Sequence, residues 1–312
     1  MNETKIGLGL AALGRPEYIN IRTDNAIDKS EEAFKQNTLR VLDYAYQKGI
    51  RYFDTAPSYG KGEAFLQEWN NLNKYNDVIL GTKWGYTYVA NWELGYAGKH
   101  EIKEHSLDKL NEQWKISKNL LPKLKIYQVH SATFESGILK NQPVLNKLND
   151  LKTEFNLQIA ISTSGANQKD IIEEALKIEI NNLPLFDSFQ VTYNVLEQST
   201  ISILKTLKQR NKTIIIKEAL ANGRVFNANL QSTQLENLSK KYNVGIDALS
   251  LRFVMDSLQP NYVLSGASNT SQLEQNLKAL DFKLTNEDIN SLTHLKSNSE
   301  IYWSNRNKLK WN

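Results

Sequence analysis

Four residues of this chain combine into one piece of acid–base chemistry. The stretch "FDTAPSYG" (53–60) ends an apolar run on Asp54 and places Tyr59 five residues later. Two further apolar runs finish on ionisable groups: "VILGTK" (78–83) on Lys83 and "KIYQVH" (125–130) on His130. A phenol is a weak acid, with an ordinary pKa of ~10. An ammonium beside it favours the phenolate, so Lys83 is expected to lower the pKa of Tyr59. Asp54 would hold that lysine charged and fixed, since buried charge is costly unless paired. His130 could orient a carbonyl oxygen, and Tyr59 could give that oxygen a proton as hydride reaches the carbon. No side chain carries hydride, so a nicotinamide cofactor would have to supply it. Each residue taken singly has a plainer reading. Asp54 could cap a helix, Tyr59 could be a loop aromatic, Lys83 could end a strand in solvent, and His130 could be a hydrogen-bonded strand-end histidine.

The elements that would position these residues alternate along the chain. Strands are expected at 6–13, 50–55, 78–83, 125–130, 157–162, 188–193, 213–217 and 262–267, several of them apolar almost throughout. Such runs suit strands covered on both faces of a parallel sheet. Helical spacing lies between most of them. "EEAFKQNTLRVLDYAYQKG" lines up Phe34, Thr38, Val41, Leu42 and Ala45 and stops at Gly49. Ser106 is placed to cap the helix of "SLDKLNEQWKISKNLL", and Thr285 that of "TNEDINSLTHLK". Helices are also expected in "NQKDIIEEALKIEI", "TISILKTLKQR" and "TSQLEQNLKAL", and two across 232–257, split at "NVG" (243–245). Eight strand–helix units in 312 residues predict one α/β domain over 1–312, a closed (β/α)8 TIM barrel with extra loops, a C-terminal helix and a tail. A doubly wound sheet competes, but "GLGLAALG" makes a poor dinucleotide fingerprint, with no helix directly after it. In such a barrel chemistry sits at the C-terminal strand ends, which here read Asp54, Lys83, His130, Ser162, Gln190, Lys217 and Ser265.

Composition narrows the field. There is no cysteine, which excludes disulfides, thiolate nucleophiles and cysteine-ligated metals. His100, His105 and His294 show no ligand spacing with His130, so no metal is expected. The net charge of +4 is scattered without a basic block, which argues against nucleic acid. No run approaches the ~20 apolar residues of a membrane helix, and the opening lacks a signal-peptide pattern, so a cytoplasmic protein is expected.

At this point the chain resembles the aldo-keto reductases. "FDTAPSYG" resembles the family's Asp/Tyr motif, "LGTKWG" its lysine motif and "YQVHS" its histidine motif. The resemblance carries the family's catalytic tetrad onto Asp54, Tyr59, Lys83 and His130. It implies reversible reduction of an aldehyde or ketone with NADP or NAD as cofactor. It also places Ser162 and Gln190 at the nicotinamide amide and Asp54 beside the cofactor. "KEALANGR" (217–224), with Lys217, Leu220 and Arg224, falls where the family wraps the pyrophosphate. Gly266, Ala267, Ser268, Gln272, Gln275 and Asn276 fall in its adenosine segment. Three positions depart from the pattern: Thr163 stands for a common asparagine, Lys217 for a stacking aromatic, and "GASNTSQLEQN" lacks the Lys or Arg that grips a 2′-phosphate. Lys217 is then a phosphate contact or an ion-pair partner of Glu218. The partner implied is a small carbonyl or sugar-like molecule; aromatics of the 84–101 loop and the 299–312 tail either stack on it or simply pack those segments against the barrel, where an aromatic tail is expected to dock. Two other functions fit parts of the pattern: a nucleotide-binding barrel without catalysis, and a cofactor-free lyase or isomerase using Lys83 or Asp54.

Overall fold

The computed structural model describes residues 3–19, 28–227 and 232–311. Eight parallel strands close into a barrel in sequence order: β1 (Lys5–Gly9), β2 (Tyr52–Asp54), β3 (Ile79–Trp84), β4 (Leu124–Ala132), β5 (Gln158–Thr163), β6 (Ser188–Thr192), β7 (Thr213–Lys217) and β8 (Tyr262–Ser265), with β8 back on β1. Each expected strand is present within a few residues of its reading. Met1 and Asn2 of the opening and Asn312 of the tail lie outside the described residues.

Helices follow the strands: α1 (Glu31–Gln47), α2 (Gly62–Asn73), α3 (Leu107–Ser117), α4 (Gln142–Phe155), α5 (Gln168–Ala175), α6 (Ile201–Gln209), α7 (Ser232–Tyr242), α8 (Ile246–Leu258), α9 (Thr270–Leu277), α10 (Asn286–Thr293) and α11 (Ser299–Asn307). The expected caps form. The Ser106 side chain accepts from the Lys109 amide and that of Thr285 from Asp288, each contact contributing about 1 kcal/mol. The α1 stripe is buried as its spacing demands, and Gly49 takes a positive φ of 90° just beyond the helix end. Helices α2, α4 and α11 were not expected. The 84–101 loop is less irregular than its composition suggests, because Tyr86–Tyr88 pairs antiparallel with Glu101–Lys103.

Side chains alternate across a strand, so one face of every barrel strand fills the interior. Tyr52, Ile126, Ala160, Ile215 and Leu264 form a small apolar cluster separate from the main core under the helices. Moving two residues along β2, β4, β5 and β7 leads from these residues to Asp54, Gln128, Ser162 and Lys217. The same face therefore changes from apolar at the floor to polar at the mouth. Two glycines make this possible. A Cβ at Gly7 would stand 2.8 Å from Cδ1 of Tyr52, and one at Gly81 only 2.5 Å from its hydroxyl. Both flanking strands give up a side chain, which leaves room for the Tyr52 ring to lie beside them and its hydroxyl to reach Asp54 on the same strand.

Candidate active site

Asp54 is the hub of the polar layer. Its Oδ1 contacts the Lys83 ammonium, which also donates to the Thr55 carbonyl at 2.9 Å. Its Oδ2 accepts from the Tyr52 hydroxyl at 2.9 Å, Gln128 Nε2 at 2.8 Å and Gln190 Nε2 at 2.9 Å. Lys83 is 0% and Asp54 1% exposed, so both charges are withdrawn from water. An ion pair so buried persists because both carboxylate oxygens are hydrogen-bonded, Oδ2 three times over. Gln190 thus donates one amide hydrogen to Asp54, and it also lines the cavity.

Tyr59 enters from the loop after β2. The Lys83 ammonium lies 4.8 Å from its ring centroid and the Arg15 guanidinium 5.3 Å. The expectation of a lowered phenol is not met. Burial, and next the charge of Asp54, push Tyr59 well above its ordinary value, while Arg15 pulls the other way. Desolvation outweighs the cations here, and the phenol is a neutral donor across the working range. The His130 ring stands edge-on to it, 5.6 Å between centroids at 86°. Burial first, then Lys83 and Lys217, hold His130 well below 6.5, so the imidazole is neutral. Its carbonyl is 3.0 Å from His105 Nε2, and its Nδ1 is 3.4 Å from Ser58 Oγ.

These groups open into a cavity of about 590 Å³, a usual size for a small-molecule site. Asp54, Tyr59 and His130 line it together with Ser162, Gln190, Lys217 and Leu220. Gly266, Ala267, Ser268, Gln272 and Asn276 line its far end, and Lys83 sits behind Asp54, off the cavity wall. Two expected contacts fall outside it. Gln275 does not reach the cavity, and Arg224 turns onto Tyr302, with its guanidinium 4.0 Å from that ring and Nη1 3.0 Å from that residue's carbonyl. Ser162 Oγ accepts from the Ser131 amide at 2.8 Å. Lys217 donates to Thr192 Oγ1 at 2.8 Å and Ser164 Oγ at 3.0 Å. Glu218 is 3.8 Å from Lys217 but is taken by Arg306 of α11 at 2.6 Å.

The cavity wall fits an extended polar ligand. The place of a Cβ on Gly266 is open space, so the backbone there is bare to an occupant. Asn222 Oδ1 is buried without a partner on the same wall. Ala221, Asn222 and Gly223 all adopt positive φ (49°, 58° and 86°), which bends the loop after β7 around the mouth. Among the described residues no group of His, Cys, Asp and Glu is placed to hold a metal, and no helix is long and apolar enough to cross a membrane.

Several lining residues gave no sequence signal. Arg15, in the loop after β1, is buried, pairs with Glu101 at 2.9 Å and donates to the Ser58 carbonyl at 3.1 Å. Its guanidinium lies 4.7 Å from the rings of both Tyr18 and Trp311. Trp311 stacks on His100 at 4.1 Å, so the aromatic tail docks on the 84–101 loop. Only long-range packing reveals these partners, because none has a local motif.

The fold and this site belong to a known class. The model of the aldo/keto reductase family matches residues 5–297, and the chain is a member of that family of oxidoreductases. Among its relatives are the uncharacterised oxidoreductase YqkF of Bacillus subtilis, 24% identical over 87% of this chain and 91% of its own, and the NADH-specific methylglyoxal reductase of Escherichia coli, 23% identical over 91% and 92%. An aldo/keto reductase from Klebsiella pneumoniae, solved with NADP and acetate, superposes with a TM-score of 0.67 at 19% identity, covering 94% of this chain and 91% of that one.

Proposed function

We propose that the chain reduces small aldehydes or ketones to alcohols with a nicotinamide cofactor. The observation that carries the reading is a half-buried, neutral Tyr59 beside a neutral His130, close to the Lys83–Asp54 pair, on the wall of a cavity of about 590 Å³. Bound NAD(P)H would supply hydride. Asn222, Gly266, Ser268 and Asn276 would hold the nucleotide, with Ser162 and Gln190 facing its reactive end. His130 orients the substrate oxygen, and Tyr59 gives it a proton. The phenolate left behind is stabilised by the ammonium 4.8 Å from its ring and by Arg15. Asp54 keeps that ammonium in place. Tyr18, Tyr86 and Phe226 give the open end an apolar, aromatic lining suited to the body of a small carbonyl compound.

NADH is the favoured donor. No Lys or Arg lies within 266–276 to meet a 2′-phosphate, Arg224 is committed to Tyr302, and the Escherichia coli relative is named for NADH. The test is NADH oxidation followed at 340 nm with methylglyoxal and a panel of small aldehydes. Turnover of at least one supports the reading; tight NADH binding with no turnover of any would leave a nucleotide-binding barrel instead.

A further inference from the structure

Four cations flank the cavity floor, and they are not equally neutralised. Lys83 touches Asp54, Arg15 pairs with Glu101 at 2.9 Å, and Arg306 pairs with Glu218 at 2.6 Å. Lys217 instead leans on two neutral hydroxyls, and the nearest carboxylate oxygen, 3.8 Å away on Glu218, already serves Arg306. Its side chain is 16% exposed, it lines the cavity, and its charge is felt at His130. Lys217 ends β7, which pairs with the strand β8 that leads to Gly266, and Lys217, Gly266, Tyr59 and His130 all line the one cavity. An occupant that spans it shares its wall with Lys217.

A dihydronicotinamide ring is neutral, and the ring left after hydride loss carries a positive charge. We infer that Lys217 sets the redox preference of the site: its ammonium favours the neutral reduced ring over the cationic oxidised one, so the chain binds NAD(P)H more tightly than NAD(P)+. The inference rests on the function proposed above. The hydroxyl partners fix the ammonium, and its only carboxylate contact among the described residues is the long one to Glu218 at 3.8 Å, shared with Arg306 at 2.6 Å, so it is neutralised less than the other three cations. Burial also pushes Lys217 down to about 8, against the pull of Glu218. Arg306 from α11, Lys83 from β3, Asp54 from β2 and His130 from β4 are the other charged or titratable groups acting across it. His130 is neutral, Glu218 is held ionised by Arg306, and Lys83 and Asp54 are locked to each other. Lys217 therefore loses its charge as pH rises through about 8, and the discrimination fades with it.

The test is calorimetric titration of NADH, NAD+, NADPH and NADP+ into wild type, Lys217→Met and Lys217→Arg at pH 7 and pH 9. A like charge across the cavity wall, at effective dielectric constants between ~20 and ~80, gives roughly a several-fold to several-tens-fold discrimination. Wild type at pH 7 is expected to favour the reduced form by a factor in that range. K217M should collapse the ratio, K217R should keep it, and wild type at pH 9 should approach K217M. A ratio unchanged in K217M and at pH 9 overturns the inference. So does an equal weakening of both redox forms in K217M, which would mark a phosphate contact. Lys217→Gln retains a polar reach to Thr192 and Ser164 should the methionine variant fail to fold, and the wild-type pH arm stands without either. A wild-type chain that binds none of the four nucleotides sinks the proposed function and this inference together, whereas binding with an unchanged ratio sinks the inference alone.

Discussion

Asp54→Asn isolates the pair on which the site is built. The wild-type carboxylate accepts from Lys83 and from three neutral donors on β2, β4 and β6. An asparagine keeps one acceptor oxygen and turns an NH₂ toward groups that are themselves donors. Lys83, with no exposure, is left without the carboxylate it touches. Removing one member of a buried pair costs about 3–5 kcal/mol. With a urea slope of roughly 3 kcal/mol per molar, the unfolding midpoint should fall by about 1 M or more. Lys83→Met leaves Asp54 its three neutral donors and should cost less. The double variant should be better than additive by about 2–3 kcal/mol, because the orphaned charge is gone. The sign with pH follows from the same cause. An unpaired buried lysine has a folded-state pKa below its unfolded ~10.4, so the unfolded chain binds more protons and D54N regains stability as pH rises toward 10. Equilibrium urea unfolding of the four proteins at pH 7 and pH 10 measures all of this. A D54N cost under about 1 kcal/mol, or strict additivity, would refute the reasoning.

Three further outcomes are expected. Arg306 and Lys217 hold Glu218 at about 2 against the upward push of burial; its contribution, about 3 kcal/mol, is full above ~4.5 and is lost as pH falls toward 2. Acid titration should therefore show wild type and Glu218→Gln converging in stability below pH 4, and parallel curves would contradict it. Gly81→Ala sets a Cβ 2.5 Å from the Tyr52 hydroxyl and should cost about 1–3 kcal/mol in thermal or urea unfolding, with part recovered by Tyr52→Phe in the same chain. NADH should raise the melting temperature more than NADPH at equal concentration, by an amount set by mass action. A larger shift with NADPH would point to a cation from outside 266–276, such as Arg40, whose Nη2 donates to Asn37 while Asn37 donates to the Ser268 carbonyl.

Much of the framework was legible because barrel strands carry strong local signals. Apolar runs marked all eight strands, seven of them with a polar residue at or near the C-terminal end, and Ser106 and Thr285 marked their helices as caps. The helix α2 was missed because it follows the "FDTAPSYG" loop without a side-chain cap, and its buried Phe65, Leu66 and Trp69 are few. The α11 segment carries its buried Tyr302 and Trp303 on one short turn, which reads equally well as a packed tail. Within the site, Asp54, Tyr59, Lys83 and His130 converge because each ends a strand or follows one at the same mouth. The direction of the Tyr59 shift was not legible, since it depends on how much water the whole fold removes. Nor was the commitment of Gln190 to Asp54, since Gln190 lies 136 residues away and only barrel closure brings the two together. Arg15 and Trp311 meet only because the C-terminal tail folds back onto the loop after β1.

The central claim is that Tyr59 is the proton donor to a carbonyl oxygen, and one measurement addresses it directly. Wild type and Tyr59→Phe, each saturated with NADH, are mixed with a small reactive aldehyde, and a single turnover is followed by loss of dihydronicotinamide absorbance. The account predicts unchanged NADH affinity and a rate lower by about 10²–10⁴-fold in the variant. A phenylalanine variant that turns over as fast as wild type would contradict it.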